Sequence, residues 1–246
     1  MSKNFESGHT KNVANFATLI TFCTAHGVIY YPSKALIKLP ALNSKLTAAR
    51  LASETVSDRT PAWTTAVDAR QSLFEPLDKL ITRVLNAVKT SDVSEKLVED
   101  AESYTRKIHG TRATPKHPVV LDDPNTPEDE SQNYHSAAQL SFDSRIENFS
   151  KLIKLLASQP GYIPNETELT VASLTTLLTS MRTASAAVAT AFAPLSNARI
   201  ARNKVLYEPH TGLFSQAAEV KMYIKSLFGA TSGEYKQVSH LKFTEA

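Results

Sequence analysis

One cysteine and seven glycines are scarce in a chain of 246 residues, and each scarcity removes a class of protein. A lone Cys23 excludes an intrachain disulfide framework and any cysteine-rich zinc module, so a reducing compartment, and with it a cytoplasmic location, is the expectation. Few glycines and few dense β-branched runs argue against a turn-rich sheet protein. No apolar run reaches the roughly 18–20 residues of a membrane-spanning helix, and the polar start Met1–Asn12 has no apolar signal core. Charge is also thin. Only 21% of residues are charged and the net charge is +3, which gives neither an acidic coat nor a strongly basic surface. With 42% apolar residues the chain can bury its own core as one large domain or two smaller ones.

What is present is helical periodicity. Val13, Phe16, Leu19, Ile20 and Cys23 recur at spacings of three and four and halt at Gly27, which predicts a short amphipathic helix after a flexible start over residues 1–11. The connector Val28–Leu39 carries Tyr30, Tyr31 and Pro32. Pro40 then suits a first helical turn, where its missing N–H does no harm. A helical pattern runs on to Phe74, with Pro61 expected to kink it; about 35 residues at 1.5 Å each span about 50 Å. A further amphipathic stretch covers Leu77–Val88. Ser91 is a candidate cap for a helix stopping at Gly110.

Residues 111–135 differ: Pro115, Pro118, Pro124 and Pro127 alternate with Asp122, Asp123, Glu128, Asp129 and Glu130, the composition of an exposed acidic linker. Beyond it the pattern of the first half returns. Asn15-Phe16 and Leu19-Ile20 match Asn148-Phe149 and Leu152-Ile153. Tyr30, Pro32, Leu42, Leu46, Thr47 and Arg50 match Tyr162, Pro164, Leu174, Leu178, Thr179 and Arg182 at a constant separation of 132 residues. Pro61 matches Pro194, and Leu73–Pro76 matches Leu206–Pro209. The expectation is an all-α, pseudo-twofold helical bundle of two similar repeats, residues 12–110 and 136–246, with long kinked helices that pack together. In the second repeat the helices are expected near Ala137–Ser158, Val171–Tyr207 with Thr170 as a possible cap, and Gly212–Phe228 capped by Thr211 and stopped by Gly229. The tail from Ala230 is expected to be a turn and an extended end.

The phrases Asn197-Ala-Arg199-Ile-Ala-Arg202-Asn203 and Val220–Val238, preceded by Tyr162-Ile-Pro164-Asn-Glu166, resemble an uncharacterised bacterial family of two-repeat, all-helical proteins. The resemblance covers roughly residues 12–110 and 136–243. It implies a shape and no chemistry, since that family carries no assigned activity, ligand or catalytic residue.

Chemical motifs are missing. No pair of histidines stands at the i,i+4 spacing of a helical metal site. His9, His117, His135 and His240 are expected in loops, and His26, His109 and His210 near helix ends. Cys23 lies on an apolar stripe, where it acts as a small hydrophobe. Gly229–Gly233 lacks the Lys-Ser/Thr ending of a phosphate loop, and there is no nucleophile elbow or dinucleotide fingerprint. No enzyme activity, cofactor, metal or small-molecule ligand is therefore expected. The small-residue stretch Ala184–Ala193 suits close helix packing. The expected role is that of a structural or interaction protein whose partner is itself or another protein, with self-assembly through the repeats foremost; a membrane-active helical protein and a weak nucleic acid binder are the alternatives. The interaction candidates are Tyr30 and Tyr162 in the connectors, Arg50 and Arg182 on the long helices, and Arg199 and Arg202 in a basic C-terminal region.

Overall fold

A computed structural model describes residues 6–111 and 140–244, with backbone alone at residues 6 and 7. The acidic linker expected over residues 111–135 lies outside them apart from Thr111, as do His117 and His135. Among the described residues the fold is all-α: α1 (Glu6–Ala25), α2 (Leu39–Phe74), α3 (Leu77–Lys89), α4 (Glu95–His109), α5 (Phe142–Ala157), α6 (Val171–Tyr207), α7 (Leu213–Phe228) and α8 (Gly233–Ser239), with 3₁₀ turns at Gly27–Ile29, Ala35–Ile37 and Thr167–Leu169. No helix among the described residues is long and apolar enough to cross a membrane.

The two long helices, 36 and 37 residues, run as read from the sequence, each continuing through its internal proline, Pro61 or Pro194. Thr170 caps α6, its Oγ1 accepting from the Ser173 amide at 3.3 Å. Four local expectations are corrected. Residues 6–11 are helical rather than a flexible end, because α1 starts at Glu6 and buries His9 and Asn12. The cap of α4 is Ser94, whose side chain accepts from the Leu97 amide, while Ser91 Oγ turns back to the Ala87 carbonyl at 2.7 Å. The N-cap of α7 is Gly212, which makes no side-chain bond, rather than Thr211. The tail holds the helix α8, capped by Ser232 and anchored by a buried Val238.

The compact units of the chain run across the two sequence repeats. One compact unit comprises Met1–Thr64 with Thr190–Ala246, and the other Thr65–Ala189. Each therefore draws on both halves of the sequence. In the first unit Phe16, Leu19 and Cys23 of α1 and Leu42 and Leu46 of α2 share a core with Val220 and Ile224 of α7. Val56 of α2 and Leu195 and Ala198 of α6 form a smaller cluster, with Trp63 against it. In the second unit Phe149 and Leu152 of α5 and Leu174 of α6 share a core with Ile81 of α3 and Ala101 of α4. Side chains of this size contribute about 1.5–3 kcal/mol each when fully buried, so both cores depend on contacts between halves.

Along their middle stretches the long helices bury little. No residue from Ser57 to Leu73 of α2, or from Arg182 to Pro194 of α6, is buried. The small-residue stretch Ala184–Ala193 is thus at most half-buried, not the tightly packed seam expected of it.

Candidate interaction surface

Each connector between a short and a long helix is pinned by a tyrosine. Tyr30 Oη donates to the Ile37 carbonyl at 2.6 Å, and Tyr162 Oη donates to the Leu169 carbonyl at 2.8 Å. Both rings are buried, at 5% and 6% exposure, so these two candidates are corrected from surface contacts to internal struts. A buried phenol with a satisfied hydroxyl closes the loop and frees no polar atom for a partner. Burial pushes the Tyr162 hydroxyl up to about 12, helped by the Glu166 carboxylate, and pushes Tyr30 higher still, with Cys23 beside it.

The arginines divide. Arg50 is exposed on α2. Arg182, also exposed, reaches back to Ser150 Oγ at 3.1 Å and so braces α6 against α5. Arg199 is half-buried, and Arg202 is buried, its Nε and Nη2 donating to Asn203 Oδ1 at 3.2 and 3.1 Å. Arg202 is therefore corrected from a surface contact to an interior group. A basic face for phosphates loses its centre with it, because phosphate contacts need a free guanidinium edge.

What the connectors do present is apolar. With Tyr30 turned inward, Val28, Ile29 and Tyr31 stand 95%, 55% and 80% exposed. Lys38 Nζ lies 5.8 Å from the Tyr31 ring centroid, and Lys34 meets Glu219 of α7 at 2.5 Å. In the second unit the corresponding connector exposes Ile163, at 78%, beside Glu166 and Glu168. Arg83 of α3 pairs with Glu168 at 2.5 Å and holds its carboxyl below the usual range. Here an open depression of about 940 Å³ lies among Pro76, Leu80, Arg83, Glu166, Leu174 and Leu177. Its Ser173 hydroxyl donates to the Thr167 carbonyl at 2.6 Å.

One polar cluster escaped the sequence reading. His9, expected in a loop, is buried in α1 with Nδ1 2.6 Å from Tyr207 Oη. Asn12, one turn on, donates from Nδ2 to the same hydroxyl at 3.2 Å and to the Thr244 carbonyl at 2.7 Å, while its Oδ1 accepts from the Thr244 amide at 3.0 Å. Asn15 donates to the Lys242 carbonyl. The cluster straps the segment after α8 along α1. The signal was in the sequence: His9 lies four residues before Val13 and seven before Phe16, on the same helical face.

In the second unit Asp78 Oδ1 meets Arg145 Nη2 at 2.5 Å and His109 Nδ1 at 3.3 Å, tying α3, α4 and α5 together. The Arg70 guanidinium lies 3.9 Å from the Phe142 ring centroid, and Phe142 meets Phe74 edge-on at 4.7 Å. Cys23 is fully buried, and burial raises its thiol to about 11, which keeps it protonated and unreactive at neutral pH. Among the described residues no three His, Cys, Asp or Glu side chains are grouped to hold a metal. Comparisons with protein-family models, curated proteins and solved structures return no match to this chain.

Proposed function

We propose that the protein is a non-enzymatic interaction protein that assembles with copies of itself through its two helical halves. One observation carries this reading: each compact core takes helices from both halves of the chain. A contact made between the halves of one copy can be made equally between halves of two copies, since an exchanged core has the same residues as a closed one. Such exchange is a low-cost route to a dimer. The two halves would then be a duplicated unit. In support, the Tyr30 and Tyr162 struts span the same seven residues to their carbonyls, and the turn Ala35–Ile37 packs on α7 as Thr167–Leu169 packs on α3.

The test is absolute mass by light scattering after size exclusion, over a wide range of protein concentration. The expected result is a dimer whose share rises with concentration. A strict monomer at the highest concentration overturns the proposal.

A further inference from the structure

We propose that the connector Val28–Lys38 docks the protein on an anionic lipid surface. The connector is held rigidly, by the Tyr30 hydroxyl bond to the Ile37 carbonyl and by Tyr30 packed edge-on against Tyr223 of α7 at 5.4 Å. Rigid anchoring fixes Val28, Ile29 and Tyr31 outward, where among the described residues they stand largely open to water, at a free-energy cost. An aromatic beside two aliphatic side chains is what partitions into the boundary between headgroups and acyl chains, with the tyrosine hydroxyl left at the wet edge.

Charge selects the lipid. From Ser7 to Ser53 the chain carries Lys11, Lys34, Lys38, Lys45 and Arg50 and not one Asp or Glu. The His26 ring lies 4.9 Å from that of Phe228, tilted against it, which brings the last turn of α7, with exposed Lys225 and Leu227, to the connector. Glu219, bound to Lys34, is the one carboxylate that an ion pair brings to this end among the described residues. Lys38 beside Tyr31, with Lys34 in the same connector and Lys225 in the last turn of α7, complements anionic headgroups and attracts the protein within a Debye length of the bilayer. The connector of the second unit lacks this character, because Glu166 stands where Lys34 does and Glu168 where Leu36 does. Anionic lipid would repel it. The inference is separate from self-assembly, since Val28, Ile29 and Tyr31 contribute nothing to either core.

The experiment is sedimentation of the full chain with phosphatidylcholine vesicles, with and without phosphatidylserine. The unaltered protein is expected to bind the anionic vesicles, to be released by salt, and to ignore the neutral ones. The triple variant V28S/I29S/Y31S, altered only at exposed positions, and K38E should each bind at least tenfold more weakly, with helical content unchanged. I163S, in the other connector, should bind like the parent. Absence of binding by the parent, or equal binding by the triple variant, overturns the proposal. So does dissociation of an oligomer by the triple variant with vesicle binding retained, which would assign the tip to a second copy.

Discussion

Tyr30 and Tyr162 show how burial redirects a residue whose type and position were visible in advance. A tyrosine before a proline in a connector is equally suited to a surface contact and to an internal strut; the choice falls to the carbonyl seven residues on, Ile37 or Leu169, which the following 3₁₀ turn brings within reach of the hydroxyl. Buried protonated groups then set the response to alkali. The Cys23 thiol is raised from 9.0 to about 11 and the Tyr162 phenol from 10.0 to about 12, both chiefly by burial. Above the unfolded values the unfolded chain releases protons that the folded chain keeps, so the folded state binds more protons and stability falls as pH rises. The contribution is complete below about pH 9 and lost progressively through about pH 11 for Cys23, with Tyr162 following through about pH 12. Urea midpoints measured across this range should decline, and Cys23→Ala, which removes the first titration, should flatten the earlier part of the decline. A midpoint independent of pH would contradict the burial of these groups.

Among elements, the long helices were legible because their apolar periodicity runs far beyond the reach of end effects, and Thr170 was legible as the cap of α6, whereas the caps of α4 and α7 and the short helix α8 were not. Ser91 and Ser94 are both plausible caps by residue type, and only the backbone turn at Ser94 aims its hydroxyl at the Leu97 amide. α8 spans seven residues, too few for a period to declare itself, and is held by Val238 in the first core. The polar strap of His9 and Asn12 likewise needed Tyr207 and Thr244, nearly 200 and more than 200 residues away, to be recognised. Gly161 and Gly27 differ in what an added side chain would meet. At Gly161 an added Cβ would lie 1.9 Å from the Asp92 carbonyl oxygen, whereas at Gly27, with φ of +58°, nothing lies within 4 Å. Gly161→Ala should therefore cost about 1–3 kcal/mol through a backbone clash, and Gly27→Ala only the conformational strain of a left-handed residue, about 1–2 kcal/mol. Chemical denaturation of the two variants measures both losses; a Gly161→Ala loss well below about 1 kcal/mol would mean that the loop at Gly161 shifts freely away from the chain at Asp92.

For the whole molecule, the interleaving of halves has a direct consequence. Neither half contains a complete core: α1 and α2 lack the cover that α7 supplies, and α5 and α6 lack that of α3 and α4. Separate fragments of residues 1–111 and 140–246 should each be poorly folded, and mixing them should restore cooperative unfolding. Trp63 reports the event, since it lies 6.4 Å from Phe192 and packs on the cluster of Val56, Leu195 and Ala198. Its emission should move to shorter wavelength on mixing. Two fragments that each unfold cooperatively alone, with no change when combined, would show that each half closes its own core.

By itself the sequence determined the helical class, the span of α2 and α6, the connectors and the absence of a recognisable catalytic motif. These follow from local chemistry: the three-and-four spacing of apolar residues, the start allowed by Pro40, the stops at Gly110 and Gly229. Tertiary structure decided which stripes meet. Periodicity states that a face must be covered but not by what, and the matched sequence halves led only to an expectation of two repeats that pack together. The cores pair α1 with α7, and α5 with α4. The same long-range packing turned Tyr30, Tyr162 and Arg202 inward and left Val28, Ile29 and Tyr31 in water, because burial is a property of what the rest of the chain places overhead rather than of the residue or its neighbours.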